Sequence, residues 1–234
     1  MDAQYDLHDL HDFSYKEVMK CLKVGLLKNV MLCPKCDGAM TMSVPTKRWR
    51  CRRSSCGDVQ RSIKADSFFA KSKLPLTKAV RLMFDWVSRK SVSVVTKEQE
   101  VSPTSAGDWF NFCREVCSVE MLTCEMKFGS YVSSNERHTL ETNPRLRGMN
   151  YTHAWVNHSE NFVNPINGAH TQSIEGVWEV RIKQYLKAMR GVHRKHLPGY
   201  LDEFLWRSWF FPQKADGKMV FKGLVIAIRK QYLN

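Results

Sequence analysis

The 234-residue chain has no apolar run approaching the roughly 18–20 residues that a membrane-spanning helix requires. Its best candidate, "MVFKGLVIAI", is interrupted by Lys222. It also lacks the basic-then-apolar layout of a secretory leader, because its first stretch, "MDAQYDLHDLHDF", is acidic. The expectation is an intracellular protein with no membrane partner. There is no internal repeat and no low-complexity segment. With 43% hydrophobic and 11% aromatic residues, the composition is too apolar for a disordered chain. Aspartate is scarce where the chain turns helical again: between Asp108 and Asp202 there is not a single one.

What is abundant is positive charge. The formal net charge is +13, and it is concentrated. Lys47 to Arg81 holds eleven Lys or Arg against Asp58 and Asp66, and Val180 to His196 holds six with no acid. Evenly solvated cations would be the plain explanation, but two such imbalanced blocks favour a polyanion, with nucleic acid first.

The eight cysteines of an intracellular chain point to metal ligands or buried thiols rather than disulfides. "CPKCDG" supplies Cys33 and Cys36, and "RWRCRRSSCG" supplies Cys51 and Cys56, fourteen residues after the first pair. Each short spacer turns two thiolates toward one ion, and the intervening residues suffice for a hairpin that brings up the second pair. The expectation is a closed, structural zinc site, with four unrelated thiols as the alternative. Gly38 and Gly57 follow the two pairs, where knuckle turns call for positive φ. Arg48, Arg50, Arg52 and Arg53 decorate the same ribbon and are candidate phosphate contacts. Cys113, Cys117 and Cys124 have helical spacing and read as buried thiols.

The chain divides by pattern into four regions. Residues 1–30 read as a helical segment with Tyr15, Val18, Leu22 and Leu26 on one face; residues 31–73 form the zinc ribbon. Residues 74–124 read as three helices. Val80, Met83, Phe84 and Val87 line the first, and Ser102 and Pro103 open the third as N-cap and first residue. Trp109, Phe112, Cys113 and Val116 repeat along that third helix. This is the plan of a helix-turn-helix, or of a plain three-helix packing unit. Residues 125–234 are polar and irregular at first and then helical, with helices expected at about 171–190 and 195–209. "KMVFKGLVIAIRKQ" reads as a helix, with a strand as the alternative. In the first of these helices Ile174, Trp178, Ile182, Tyr185 and Met189 form an apolar stripe, with Glu175 beside it and Lys183, Lys187 and Arg190 further along. Alone, Glu175 reads as a first-turn glutamate favoured by the helix dipole. Asn150-Tyr-Thr152 and Asn157-His-Ser159 match glycosylation sequons that an intracellular protein would not use.

"VNHSENFVNPINGAHTQSIEGVWEVRIKQYLKAMRGVHRKHLPGYLDEFLWR" resembles the C-terminal signature of Merlin-type transposases, relatives of bacterial insertion-sequence enzymes with an ISXO2-like transposase domain. "WRCRRSSC", "SFFAKSKLPL" and "WFNFCREVC" resemble that family's N-terminal ribbon and helical region. The resemblance implies an RNase H-like core in which two Asp and one Glu, or Asn, hold two Mg or Mn ions for phosphoryl transfer on double-stranded DNA. It also implies transposon ends as substrate, a homo-oligomeric assembly and, in a eukaryote, a nuclear location. Glu175 falls at the third acidic position; many relatives carry Asn where Gln172 stands here. His170 and Lys183 are lesser candidates for substrate contact.

The chain then departs from the family. The two preceding aspartates are absent, and the carboxylates upstream of Glu175 are Glu115, Glu120, Glu125, Glu136, Glu141 and Glu160, none in a run that reads as a central strand. The stretch from Ser118 to Ala169 is about half of the ~100 residues that the missing strands and helix would occupy. The resulting expectation is an α+β chain: a zinc ribbon, a helix-turn-helix, and an incomplete, mostly helical RNase H-like remnant. It binds DNA and has lost strand cleavage. The alternatives are an active transposase whose full-length form includes the Asp-bearing segment, and a chromatin or protein-interaction module.

Overall fold

The computed structural model describes residues 25–123, 156–157, 159–168, 170–189, 191–212 and 214–232. The expected helical segment at 1–30 lies mostly outside them, as does Cys124. Three short strands, β1 (Thr41–Ser43), β2 (Arg48–Arg50) and β3 (Gln60–Ser62), form an antiparallel sheet in sequence order. Among the described residues seven α-helices follow: α1 (Leu76–Val87), α2 (Val92–Glu98), α3 (Pro103–Thr123), α4 (Gln172–Val177), α5 (Gln184–Ala188), α6 (Leu197–Phe210) and α7 (Gly217–Tyr232). A π-helical stretch, Trp178–Lys183, joins α4 to α5. The chain is therefore α+β, and no described helix is long and apolar enough to cross a membrane.

The sheet alternates with the two-residue period of a half-buried strand. Trp49 is buried while Arg48 and Arg50 are exposed. Trp49 joins Met31, Met40, Cys33, Cys51 and Cys56 in a small core. Asp37 and Gly57 take the left-handed turns after the two cysteine pairs, at φ 50° and 64°. Gly38, expected to do so at the first knuckle, does not; it is small for another reason, since a Cβ there would sit 3.2 Å from the guanidinium carbon of Arg53.

After the sheet, Lys64 reaches the carbonyls of Ser72 (3.1 Å) and Leu74 (2.5 Å), and burial lowers its ammonium pKa. These bonds close the loop that carries Phe68 and Phe69. Both rings stack near Trp109 of α3, at 5.7 and 6.0 Å, and Phe68 also meets Tyr232 of α7 at 5.6 Å. Ribbon and helices thus share one aromatic seam.

The three expected helices at 74–124 are present. Ser102 caps α3 as its pattern indicated, accepting a hydrogen bond from the amide of Ser105 at 3.1 Å. The expected stripe needs one correction: Trp109, Cys113 and Val116 are buried, but Phe112 faces outward and Phe110 takes the inner place. At the turn after α1, buried Asp85 receives Lys90 at 3.0 Å and the amide of Gln99 at 2.9 Å. The Lys90 ammonium pKa is raised by its hydrogen bonds to Glu98 and Asp85.

The chain falls into two compact units: residues up to Glu120 together with Leu205–Asn234, and Met121–Phe204. In the first, α7 packs on α1, with Phe84 and Phe221 in edge contact at 6.0 Å. It also ties to α3, through Lys230 to Glu120 (3.1 Å) and Gln231 to the Val116 carbonyl (2.9 Å). Gly223 allows the Phe211 ring to lie on α7, because a Cβ there would be 2.3 Å from its Cζ. Arg207, in the last turn of α6, is buried. It donates to the carbonyls of Trp86 and Val87, both at 3.1 Å, with its guanidinium 4.6 Å from the Trp86 ring centroid. It thereby caps the C-terminus of α1, where helix carbonyls lack intrahelical partners and the dipole favours a cation.

In the second unit, side-chain Oδ1 atoms of Asn157 and Asn164 accept from the amides of Ser159 and Ile166, shaping two polar turns before α4. The 3.6-residue stripe expected here does not hold. Ile182 is buried, whereas Trp178 is exposed. The π-helical stretch supplies the reason: its wider turn rotates successive side chains differently from an α-helix, so a stripe drawn at one period splits.

Arg207→Met preserves the stem and removes both charge-assisted bonds. It should destabilise the first unit by about 2–4 kcal/mol in urea unfolding, given the worth of buried charged hydrogen bonds and cation–π contact. A loss below ~0.5 kcal/mol would show that water or a neighbour caps α1 equally well.

Candidate metal centre and basic face

The four cysteines of the ribbon converge at one end of the sheet, before β1 and after β2, where Thr41 pairs with Arg50. The first pair sits in a turn closed by Cys33 N–H donating to the Gly38 carbonyl and Asp37 N–H to the Cys33 carbonyl, both at 2.9 Å. The second pair brackets a 3₁₀ turn, Ser54–Cys56, directly after β2. Lys35 crosses between them to the Cys56 carbonyl at 3.2 Å. The four sulfurs all lie within 4.8 Å of one another, and Cys36 Sγ and Cys51 Sγ are 3.8 Å apart. Ligands about 2.3 Å from one zinc at tetrahedral angles are separated by about 3.8 Å, so the set fits a single ion; it is too open for a disulfide. Cys33, Cys36, Cys51 and Cys56 can hold a metal such as zinc.

Their protonation shows why an ion suits them. Backbone amides of Lys35 and Cys36 donate to the Cys33 sulfur and hold its pKa down to about 7, against the opposing effect of burial. Cys56 is pushed up to about 12 by the neighbouring Cys36 thiol and by burial. At Cys51 the downward pull of the Arg53 amide is overcome by burial and by Cys33, and the thiol ends above its ordinary value. Four adjacent sulfurs cannot all ionise beside one another; a dication removes that penalty.

The opposite side of the sheet is different in character. The register pairs Arg48 with Ser43 and Ser62, and Arg50 with Thr41 and Gln60. The exposed face is therefore hydroxyl, amide and guanidinium groups. Asp58 meets Arg50 at 3.1 Å and accepts from Gln60 at 2.8 Å. Arg52 is exposed beyond the strand, and Arg53 extends over Gly38 of the first knuckle. Sequence reading named the arginines and missed their hydroxyl and amide neighbours, since pairing register is not written in any one strand. Arg61 is on the inner side, bonded to Asp66 at 3.0 Å and to the Met31 sulfur at 3.5 Å.

The remaining candidates belong to the second unit. Glu175 is exposed in the first turn of α4, where its Oε1 accepts from the Thr171 hydroxyl at 2.6 Å. Among the described residues no other carboxylate or histidine joins it in a group able to hold an ion. Glu125, Glu136 and Glu141 lie outside the described residues. Glu120 is the buried partner of Lys230, and Glu115 and Glu160 are exposed. Lys183 pairs with Glu179 one turn earlier, and its hydrogen bond lowers the Glu179 carboxyl pKa. Lys187 is exposed, His170 half-buried, and Arg190 falls outside the described residues.

The family model of the ISXO2-like transposase domain matches residues 142–208. That match supports a transposase-family relationship and a transposase-derived protein. It lies entirely outside the ribbon, so ribbon and transposase-like stretch are independent observations. No curated protein and no solved structure matches the chain.

Metal loading of the ribbon must expel protons from thiols, so zinc affinity should rise as pH increases through neutrality and fall on acidification. Competition titration with a colorimetric chelator at several pH values measures this; a flat profile would exclude thiolate ligation. Cys51→Ser should lose stoichiometric zinc and the near-ultraviolet dichroism of Trp49.

Proposed function

We propose that this transposase-derived chain is a double-stranded-DNA-binding protein of the Merlin type. The ribbon is held by structural zinc, and the chain does not itself cleave or join strands. The observation that carries the reading is the sheet face of Arg48 and Arg50 set among Thr41, Ser43, Gln60 and Ser62, on a chain of net charge +13. Guanidinium and hydroxyl donors on one rigid face are the groups that hold phosphate oxygens, and the zinc knuckles fix the strand that presents them. Arg52 and Arg53 extend this face.

The three helices contribute in a helix-turn-helix arrangement: α2, a turn at 99–102 with Glu100 at φ 51°, then α3. Outward-facing α3 carries Asp108 and Glu115, while its sole cation, Arg114, is buried and bonded to Asn111. Phosphate binding therefore falls to the ribbon, and the first turn of α3 is the part suited to a groove. Lys183, Lys187 and Arg190 form a second basic stretch within the matched residues 142–208. In this reading residues 125–234 hold the helical remnant of an RNase H-like core, and Glu175 is the remnant of its third acidic residue. One carboxylate cannot hold two divalent ions against their hydration, and among the described residues no second carboxylate joins Glu175 to hold Mg or Mn.

A second reading has its own observation. Phe112, Val119 and Leu122 of α3 are exposed along one face, which suits a protein-interaction module. An apolar interface is insensitive to salt, whereas phosphate contact is not.

The test is binding of the zinc-loaded chain to duplex DNA across a salt series. Affinity should fall log-linearly with salt. Arg48→Ala with Arg50→Ala should lower the slope by roughly 0.9 for each phosphate no longer neutralised, on all sequences alike. An unchanged slope would move the DNA surface elsewhere. Glu175→Gln should leave affinity unaltered, and divalent metal should produce no nicking of a supercoiled plasmid; metal-dependent nicking abolished by Glu175→Gln would restore the enzyme.

A further inference from the structure

The last turns of α6 and the outer face of α7 enclose a groove of about 290 Å³, lined by Trp206, Phe210, Phe211, Met219, Gly223 and Ile226 and edged by Lys222 and Lys230. Phe210, Met219 and Ile226 are each more than two-fifths exposed, as is neighbouring Trp209. So much apolar surface in one place marks a docking site. Its rim has one sign. α7 carries Lys218, Lys222, Arg229 and Lys230 and no acid, and the groove's one carboxylate, Glu120, is already engaged by Lys230. Phosphate would satisfy the lysines and leave the aromatic and aliphatic surface between them unexplained. An occupant with apolar side chains flanked by carboxylates satisfies both.

The chain has such a stretch, and it leads to this groove. Met1–Phe13 contains four aspartates, no Lys and no Arg, with Asp6, Asp9 and Asp12 immediately preceding Leu7, Leu10 and Phe13. The described chain begins at Gly25, against Arg229 of α7: a Cβ on Gly25 would be 2.6 Å from Arg229 Nε. Arg229 and Lys222 are seven residues apart, hence two turns along the same helix face, with Ile226 between them. Gly25, the first described residue, thus lies on the groove side of α7. Phe13 lies twelve positions before Gly25, a distance of about 18 Å if helical and about 40 Å if extended. The groove runs from Lys230 to Met219, about 16 Å of helix. The tether is long enough in either form.

We propose that the acidic N-terminal segment docks in this groove in cis, with Leu7, Leu10 and Phe13 against Met219, Ile226 and Phe210, and its aspartates toward Lys222 and Lys230. A tethered ligand at millimolar effective concentration needs only weak intrinsic affinity to remain bound. The inference is independent of DNA binding.

Zero-length carbodiimide cross-linking of the zinc-loaded full chain, mixed equally with isotopically heavy chain, tests it by peptide mapping. The expected result is amide links from Asp6, Asp9 or Asp12 to Lys222 or Lys230 within chains of one isotopic label. Leu10→Ser and, separately, exposed Ile226→Ser should each reduce them several-fold while zinc content and helical dichroism stay constant. Three results would overturn the proposal: no link to these lysines, links predominantly between light and heavy chains, which would make a second copy the occupant, or yields unchanged by both serine variants, which would mean charge proximity without docking.

Discussion

Convergence of four sulfurs at one point is the constraint on which the ribbon depends. Three strands of three residues each bury little more than Trp49, two methionines and the cysteines themselves. A core of that size cannot offset the conformational entropy of ordering the loops around it, and small domains of this kind rely on a metal or disulfides. Here the four sulfurs all lie within 4.8 Å of one another, and β2 runs straight from Arg50 into Cys51. The positions of Arg48 and Arg50 therefore follow from the centre behind them. Charge on the outer face and ligation on the inner face are two sides of one strand.

Parts of this were legible because they depend on local spacing. The two cysteine pairs announce their centre, since a thiolate pair at short separation has few geometries. Arg48-Trp49-Arg50 shows strand alternation in three letters, and Ser102-Pro103 marks the start of α3 by capping chemistry alone. The helices Leu76–Val87 and Pro103–Thr123 follow from apolar periodicity, and those at 172–188 and 197–210 lie where helices are expected, at about 171–190 and 195–209. The C-terminal stretch, ambiguous between helix and strand from pattern, is helical, with Val220, Leu224, Val225 and Ile228 buried at helical spacing.

What stayed hidden depends on residues distant in sequence or on a local change of period. Arg207, in the "YLDEFLWR" block, carries the same charge as the arginines of the ribbon, and nothing nearby tells a buried cap from a phosphate contact. Its partners are the carbonyls of Trp86 and Val87, some 120 residues earlier. Phe112 and Phe110 are two apart on α3, and only packing decides which points inward. The stripe through Trp178 fails because the π-helical stretch breaks the period from which it was drawn. Glu175 keeps an unremarkable local bond to Thr171, and sequence alone foresaw both its first-turn position and the lack of aspartates near it in the chain.

The cap on α1 bears on how this chain can change by descent. Leu205 to Asn234 completes the same compact unit as the residues up to Glu120, while Met121–Phe204 is bracketed between the two pieces. A gain or loss of chain confined to the bracketed interval leaves the seam of Phe68, Trp109 and Tyr232, the Glu120–Lys230 pair and the Arg207 cap untouched. A cut at residue 204 removes Arg207, Lys230 and Tyr232 together. One compact unit is thus built from two stretches far apart in sequence, and its integrity depends on residues from Leu205 onward as much as on those before Met121.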